Sequence, residues 1–153
     1  MGNPSRGDDA LGPLLLERVV QRFPGVATLG DFQLQIEHAL DLRGHDLVLF
    51  IDAATGLDVP YTLTEIQPDA RQPVPLTHAL TPQAVLDVYV RIEGCAPPPA
   101  FVLAVAGQDF ELGAALSEAG RRALDAAWDE VVALLSAPVV GAWRGRAAGR
   151  SGG

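Results

Sequence analysis

The stretch "DLVLFIDAATG", residues 46 to 56, decides the fold. Leu47 to Ile51 are uninterrupted apolar residues, and Asp52 stands where the strand is expected to end. A short apolar run closed by turn residues reads as a strand buried on both faces, as in a parallel sheet covered by helices. "AFVLAVAG", residues 100 to 107, repeats the pattern after a proline-rich turn.

Around these two strands the periodicity is helical. Leu11, Leu14, Leu15, Val19 and Phe23 form one apolar stripe, with Pro13 tolerated in the first turn and Pro24-Gly25 as the stop. Thr81 and Pro82 read as the cap and first residue of a second helix. A third runs from about Ser117 to Leu135, with Ala123, Leu124, Ala127, Trp128, Val131 and Leu135 inward. "VATLGDFQLQ" (26–35) reads as a short strand leading into a loop, "IEHALDLRG" (36–44) as a short helix and "PYTLTEIQP" (60–68) as a half-buried edge strand. Strands alternating with helices predict an α/β fold, a three-layer sandwich whose mostly parallel, twisted sheet is flanked by helices. Residues 1–136 are expected to form one domain, and the Gly/Ala/Arg-rich residues 137–153 a disordered tail.

Composition narrows the function. The formal charge is −8, every basic residue is Arg, and no Asp or Glu lies beyond Glu130. An acidic body disfavours nucleic acid as a partner. One cysteine, Cys95, excludes an internal disulfide and a multi-cysteine zinc site, which fits a reducing compartment. No apolar stretch reaches the ~18 residues a span needs, and no leader is evident, so a cytoplasmic monomer without a membrane partner is expected.

In open α/β sheets the binding crevice lies beyond the carboxyl ends of the strands. Three features are expected there: the opening loop "GNPSRGDDALG" (2–12), Asp52, and the loop carrying His78. One of Asp8 and Asp9 reads as a helix cap. The second is harder to explain so, because adjacent carboxylates repel and invite a cation. Asp52 closes an apolar strand, where an ionised carboxylate needs a partner or a metal. His38 and His45 are equal candidates with His78 on composition alone. The chain has neither a phosphate-binding glycine motif nor a G-x-S-x-G nucleophile elbow, and Cys95 has no patterned histidine partner. "FIDAATG" is a single, imperfect echo of the aspartic-protease Asp-Thr/Ser-Gly and is discounted.

Together, "GNPSRGDDALG", "LVLFIDAA" and "THALTP" resemble the [NiFe]-hydrogenase maturation endopeptidases, in that order and over most of residues 2 to 136. The resemblance implies a twisted sheet between helices, and removal of the C-terminal extension of a hydrogenase large-subunit precursor after nickel insertion. It also implies a trio for catalysis and metal contact, which falls on Asp9, Asp52 and His78. Two carboxylates and an imidazole form a donor set compatible with nickel. The nickel would be carried by the precursor rather than held tightly by the free protein. Two other classes stand beside this one: a non-catalytic precursor-binding or metal-sensing module, and a small-molecule hydrolase.

The chain departs from the resemblance in three places. Ala10 follows the acidic pair where many relatives have glycine, and "DFQLQIEHALDL" replaces a glycine-rich stretch, in which Glu37 and His38 read first as a surface helix face and second as lining of the precursor cleft. Relatives also have an apolar first strand before the Gly-Asn loop, which is missing here. Residues supplied ahead of Met1 are therefore expected to add that strand and raise the melting temperature; equal melting temperatures for the two forms would overturn this.

Overall fold

The computed structural model describes residues 1–31, 33–71 and 80–151. Its sheet has β1 (Val48–Ala54), β2 (Tyr61–Ile66) and β3 (Ala100–Ala106), with β3 in the middle. β1 runs parallel to β3, Val48 facing Ala100 and Ala54 facing Ala106. β2 runs antiparallel on the other side, Tyr61 facing Val105 and Ile66 facing Ala100. The α/β class holds, and of the two pairings one is parallel and one antiparallel.

Side-chain alternation along β3 separates two apolar clusters, because successive residues point to opposite faces. Phe101, Leu103 and Val105 pack with α1 (Leu11–Arg22), α3 (Glu118–Ser136) and α4 (Val140–Ser151). Ala100 and Val102 face α2 (Pro82–Glu93) and a 3₁₀ segment, Ile36–Leu42. The helices thus cover both faces of the sheet, giving the three layers.

Local signals set the helix ends. Thr81 Oγ1 accepts from Ala84 N at 3.1 Å, and Pro82 occupies the first turn of α2. Gly94 ends that helix at φ +69°, a left-handed conformation that a Cβ makes costly. Ser117 caps α3, its Oγ accepting from Gly120 N at 2.9 Å.

The structure corrects four sequence expectations. The described residues of 26–35 form no strand: Val26 to Asp31 are exposed, and no strand among the described residues pairs with them. The short helix expected at 36–44 is 3₁₀ rather than α. β1, for all its apolar sequence, is an edge strand, and only Phe50 in it is buried. A groove of about 380 Å³ follows its outer side, lined by Leu16, Val26, Leu47, Leu49, Ile51 and Leu135. Met1 N donates to Ile51 O at 2.8 Å at one end of this groove. The edge that the expected first strand would take is therefore open among the described residues.

The fourth correction concerns 137–153. Instead of a disordered tail, Val140–Ser151 is helix α4, laid against β2. Trp143 is the reason: its ring meets Phe101 edge-on at 5.4 Å and its Nε1 donates to Leu134 O at 2.8 Å. Arg144 grips Glu65 through two nitrogens, and Arg146 bonds the buried Glu130. No helix among the described residues is long and apolar enough to cross a membrane.

Candidate functional site

The opening loop folds back on itself before α1 begins. Gly2 has φ +136°, and a Cβ there would lie 2.1 Å from Asp9 O, so only glycine lets the chain pass this closely. Asn3 Oδ1 then accepts from Ser5 N at 2.9 Å, which tightens the turn. Asp8 and Asp9 follow on a single 3₁₀ turn, Gly7–Ala10, that leads straight into α1.

The two aspartates have different surroundings. Asp8 is fully buried, and neither it nor any other side chain caps α1. Its carboxylate reaches instead to the far side of the chain. Oδ2 accepts from Gln108 N at 2.7 Å, Asp109 N at 3.1 Å and Ser117 Oγ at 2.6 Å, while Oδ1 accepts from Ser117 N at 2.8 Å. Burial opposes ionisation of this group, but the four hydrogen bonds outweigh it and hold the carboxyl below its ordinary range. Asp8 N donates to Asp109 O at 2.6 Å and Gly113 N to Ser5 O at 2.6 Å, so loop 3–9 and loop 107–117 are bound together. Asp8 is a structural acid, as its position beside a helix suggested, yet what it caps is the distant end of β3 and the start of α3.

Asp9 is half-buried and accepts from Asn3 N at 2.7 Å through Oδ2. Asp52 is also half-buried and lies within β1, facing Ala104, two residues before the strand ends. Burial raises the Asp52 carboxyl above its ordinary range; the Met1 amino group opposes the rise and the Asp9 carboxylate adds to it. The 3₁₀ turn that carries Asp9 contacts β1, the strand that carries Asp52.

The third predicted residue, His78, lies outside the described residues. Among those described, no group of three or more His, Cys, Asp or Glu gathers where it could hold a metal ion. His38 is buried: its Nδ1 accepts from Gln35 N at 2.7 Å, and its Nε2 is 3.2 Å from Asp31 Oδ2. Both ring nitrogens therefore hold the loop ahead of the 3₁₀ segment. Glu37, His45 and Cys95 are exposed.

Ser117 was legible from the sequence only as a helix start, and its second bond, to Asp8, joins residues 109 apart in the chain. No local pattern announces such a pairing. Gly120 carries its trace: a Cβ there would lie 2.5 Å from Asp8 Oδ1.

No protein-family model matches the chain, and no curated protein matches it. Solved structures do. The [NiFe] hydrogenase maturation protease HycI of Thermococcus kodakarensis KOD1 superposes with a TM-score of 0.66 at 21% identity, over 88% of each chain. The hydrogenase maturating endopeptidase HybD of E. coli gives 0.66 at 22%, also over 88% of each chain. An endopeptidase from Escherichia coli gives 0.63 at 23%, again over 88% of each. At these identities what is shared is the fold.

Proposed function

We propose that the protein is an endopeptidase that removes the C-terminal extension of a [NiFe]-hydrogenase large-subunit precursor once nickel is in place. One observation carries the reading: the 3₁₀ turn that holds Asp9 contacts β1, the strand that holds Asp52, on a fold shared with maturation proteases. Asp9, Asp52 and His78 are its proposed nickel contacts and catalytic residues. The nickel belongs to the substrate, the partner is the precursor, and the setting is the cytoplasm.

In this mechanism the protein's own groups do the positioning. Asp9 keeps one oxygen on Asn3 N, which fixes its carboxylate and leaves Oδ1 as the donor for a cation. Asp52 is fixed by the β1–β3 ladder. Asp9 on the opening turn and Asp52 on β1 offer oxygen donors from two elements, which suits a metal presented by a second protein. The metal held between them supplies charge against which the scissile carbonyl is polarised.

The test is to mix the protein with precursor purified with and without nickel and follow loss of the C-terminal peptide by mass. Nickel-loaded precursor is cleaved, nickel-free precursor is not, and Asp9→Ala and His78→Ala each abolish cleavage. Cleavage that ignores nickel, or survives those substitutions, refutes the assigned roles; binding without mass loss supports the non-catalytic module.

Asp52→Asn gives a second expected result. A carboxyl whose folded-state pKa lies above its unfolded value destabilises the fold when ionised, and that cost is present at neutral pH. Removing the charge should leave the melting temperature at or above that of the parent while cleavage is lost. A lower melting temperature would mark Asp52 as a structural acid instead.

A further inference from the structure

We infer that Ser117 is a positioning residue for Asp9, acting through Asp8. This inference rests on the proposed function for its binding measurement only. Ser117 Oγ has two bonds, accepting from Gly120 N at 2.9 Å and donating to Asp8 Oδ2 at 2.6 Å, while its backbone N donates to Asp8 Oδ1 at 2.8 Å. One residue therefore engages both oxygens of the Asp8 carboxylate and fastens them to the first turn of α3.

Asp8 and Asp9 are consecutive on one 3₁₀ turn, so a shift of the backbone at Asp8 is passed to Asp9. Fixing the Asp8 carboxylate sets the rotation of that turn about its axis. The rotation sets where Asp9 starts from, and in this orientation Asp9 Oδ2 accepts from Asn3 N at 2.7 Å. The surroundings leave Asp8 no second place to go. A Cβ on Gly107 would lie 2.9 Å from Asp8 Cβ, and one on Gly120 would lie 2.5 Å from Asp8 Oδ1, so glycine on either side admits the side chain and nothing larger. α3 in turn is anchored by buried Ala123, Leu124, Ala127 and Val131, which makes it a rigid reference for a short loop.

The order of the chain is thus α3, Ser117, Asp8, Asp9, and the relay uses no contact between Ser117 and any ligand. Gln108 N and Asp109 N share Asp8 Oδ2 with the hydroxyl, so removal of the hydroxyl loosens the carboxylate without releasing it. Ser117→Ala should therefore fold and still misplace Asp9.

Amide hydrogen exchange reads the effect without any assay of activity. In Ser117→Ala the Asn3 amide, which the Asp9 carboxylate protects, should exchange about tenfold faster, and Ser117→Thr, which restores a hydroxyl, should return it to the parent rate. Thr81→Ala, which removes the cap of α2, is the comparison for loss of a helix cap elsewhere in the fold and should leave Asn3 unmoved. Binding of nickel-loaded precursor should weaken about tenfold in Ser117→Ala and no further in Asp9→Ala/Ser117→Ala than in Asp9→Ala, because both changes act on one group. Unchanged Asn3 exchange in Ser117→Ala, an equal change in Thr81→Ala, or additive losses in the double variant would overturn the inference. A parent protein that binds no precursor would refute the proposed function while the exchange comparison still decides the role of Ser117.

Discussion

Asp8→Ala should lower stability by at least about 3 kcal/mol, read as a fall of about 6–12 °C in the melting temperature. The loss comes from donors rather than from the carboxylate. Three backbone amides and one hydroxyl converge on Asp8, and a methyl group gives none of them an acceptor. Asp8 is fully buried, so water reaches the orphaned donors only if the loops part. Gly120→Ala tests the same contact from the other side. In an exposed helix this substitution is worth about 1 kcal/mol of added stability. Here the new Cβ would lie 2.5 Å from Asp8 Oδ1, 2.8 Å from Asp8 Cγ and 3.0 Å from Ser117 Oγ, so the sign should reverse. Thermal melts of both variants check this, and a more stable Gly120→Ala protein would show that Asp8 is not locked as described.

How much of this was legible in the sequence depends on whether the deciding contact is local. The cap of α2 was, because Thr81, Pro82 and Ala84 lie within one turn. So were β3 and the amphipathic stripes of α1 and α3, whose periodicity reflects a core on one side. Apolarity misled at β1, since a continuous apolar run reports what a strand could bury and not whether a neighbour is there to cover it. Within residues 26–35, single apolar residues looked like a short strand, but no ladder partner adjoins them among the described residues. For the site, the acidic pair Asp8–Asp9 and Asp52 stood out by residue type and position, and only the resemblance chose Asp9 over Asp8; the close pass of Gly2 by Asp9 O, which shapes the opening loop, left no sign in the sequence. Ser117 was missed because its bond to Asp8 spans 109 positions and leaves only a glycine, Gly120, as its sign.

The C-terminal helix shows the same limit most sharply, and Trp143→Ala should expose it at a cost of about 3–5 kcal/mol. Val140–Ser151 contains Gly141, Gly145 and Gly149, each unfavourable to an isolated helix by about 1 kcal/mol relative to alanine, so propensity alone argues for disorder. A twelve-residue helix is also marginal by itself in water. What holds α4 is tertiary: Trp143 is buried against Phe101 and bonds Leu134 O, and Ala147, one turn on, is buried in the same cluster. Arg144 to Glu65 is largely exposed and contributes little, since solvent screens it. Arg146 on buried Glu130 contributes more to register than to net stability, because burial of that carboxylate offsets the attraction. Removing the indole therefore leaves the helix without its main tie, and α4 should unfold from β2 as a unit. Truncation after Ala137 should match Trp143→Ala in melting temperature to within a few degrees. It also uncovers Phe101 and leaves Glu130 without Arg146, so both variants should bind a dye for exposed apolar surface more strongly than the parent. A truncated chain as stable as the full one would return residues 137–153 to the disordered tail that their composition suggests.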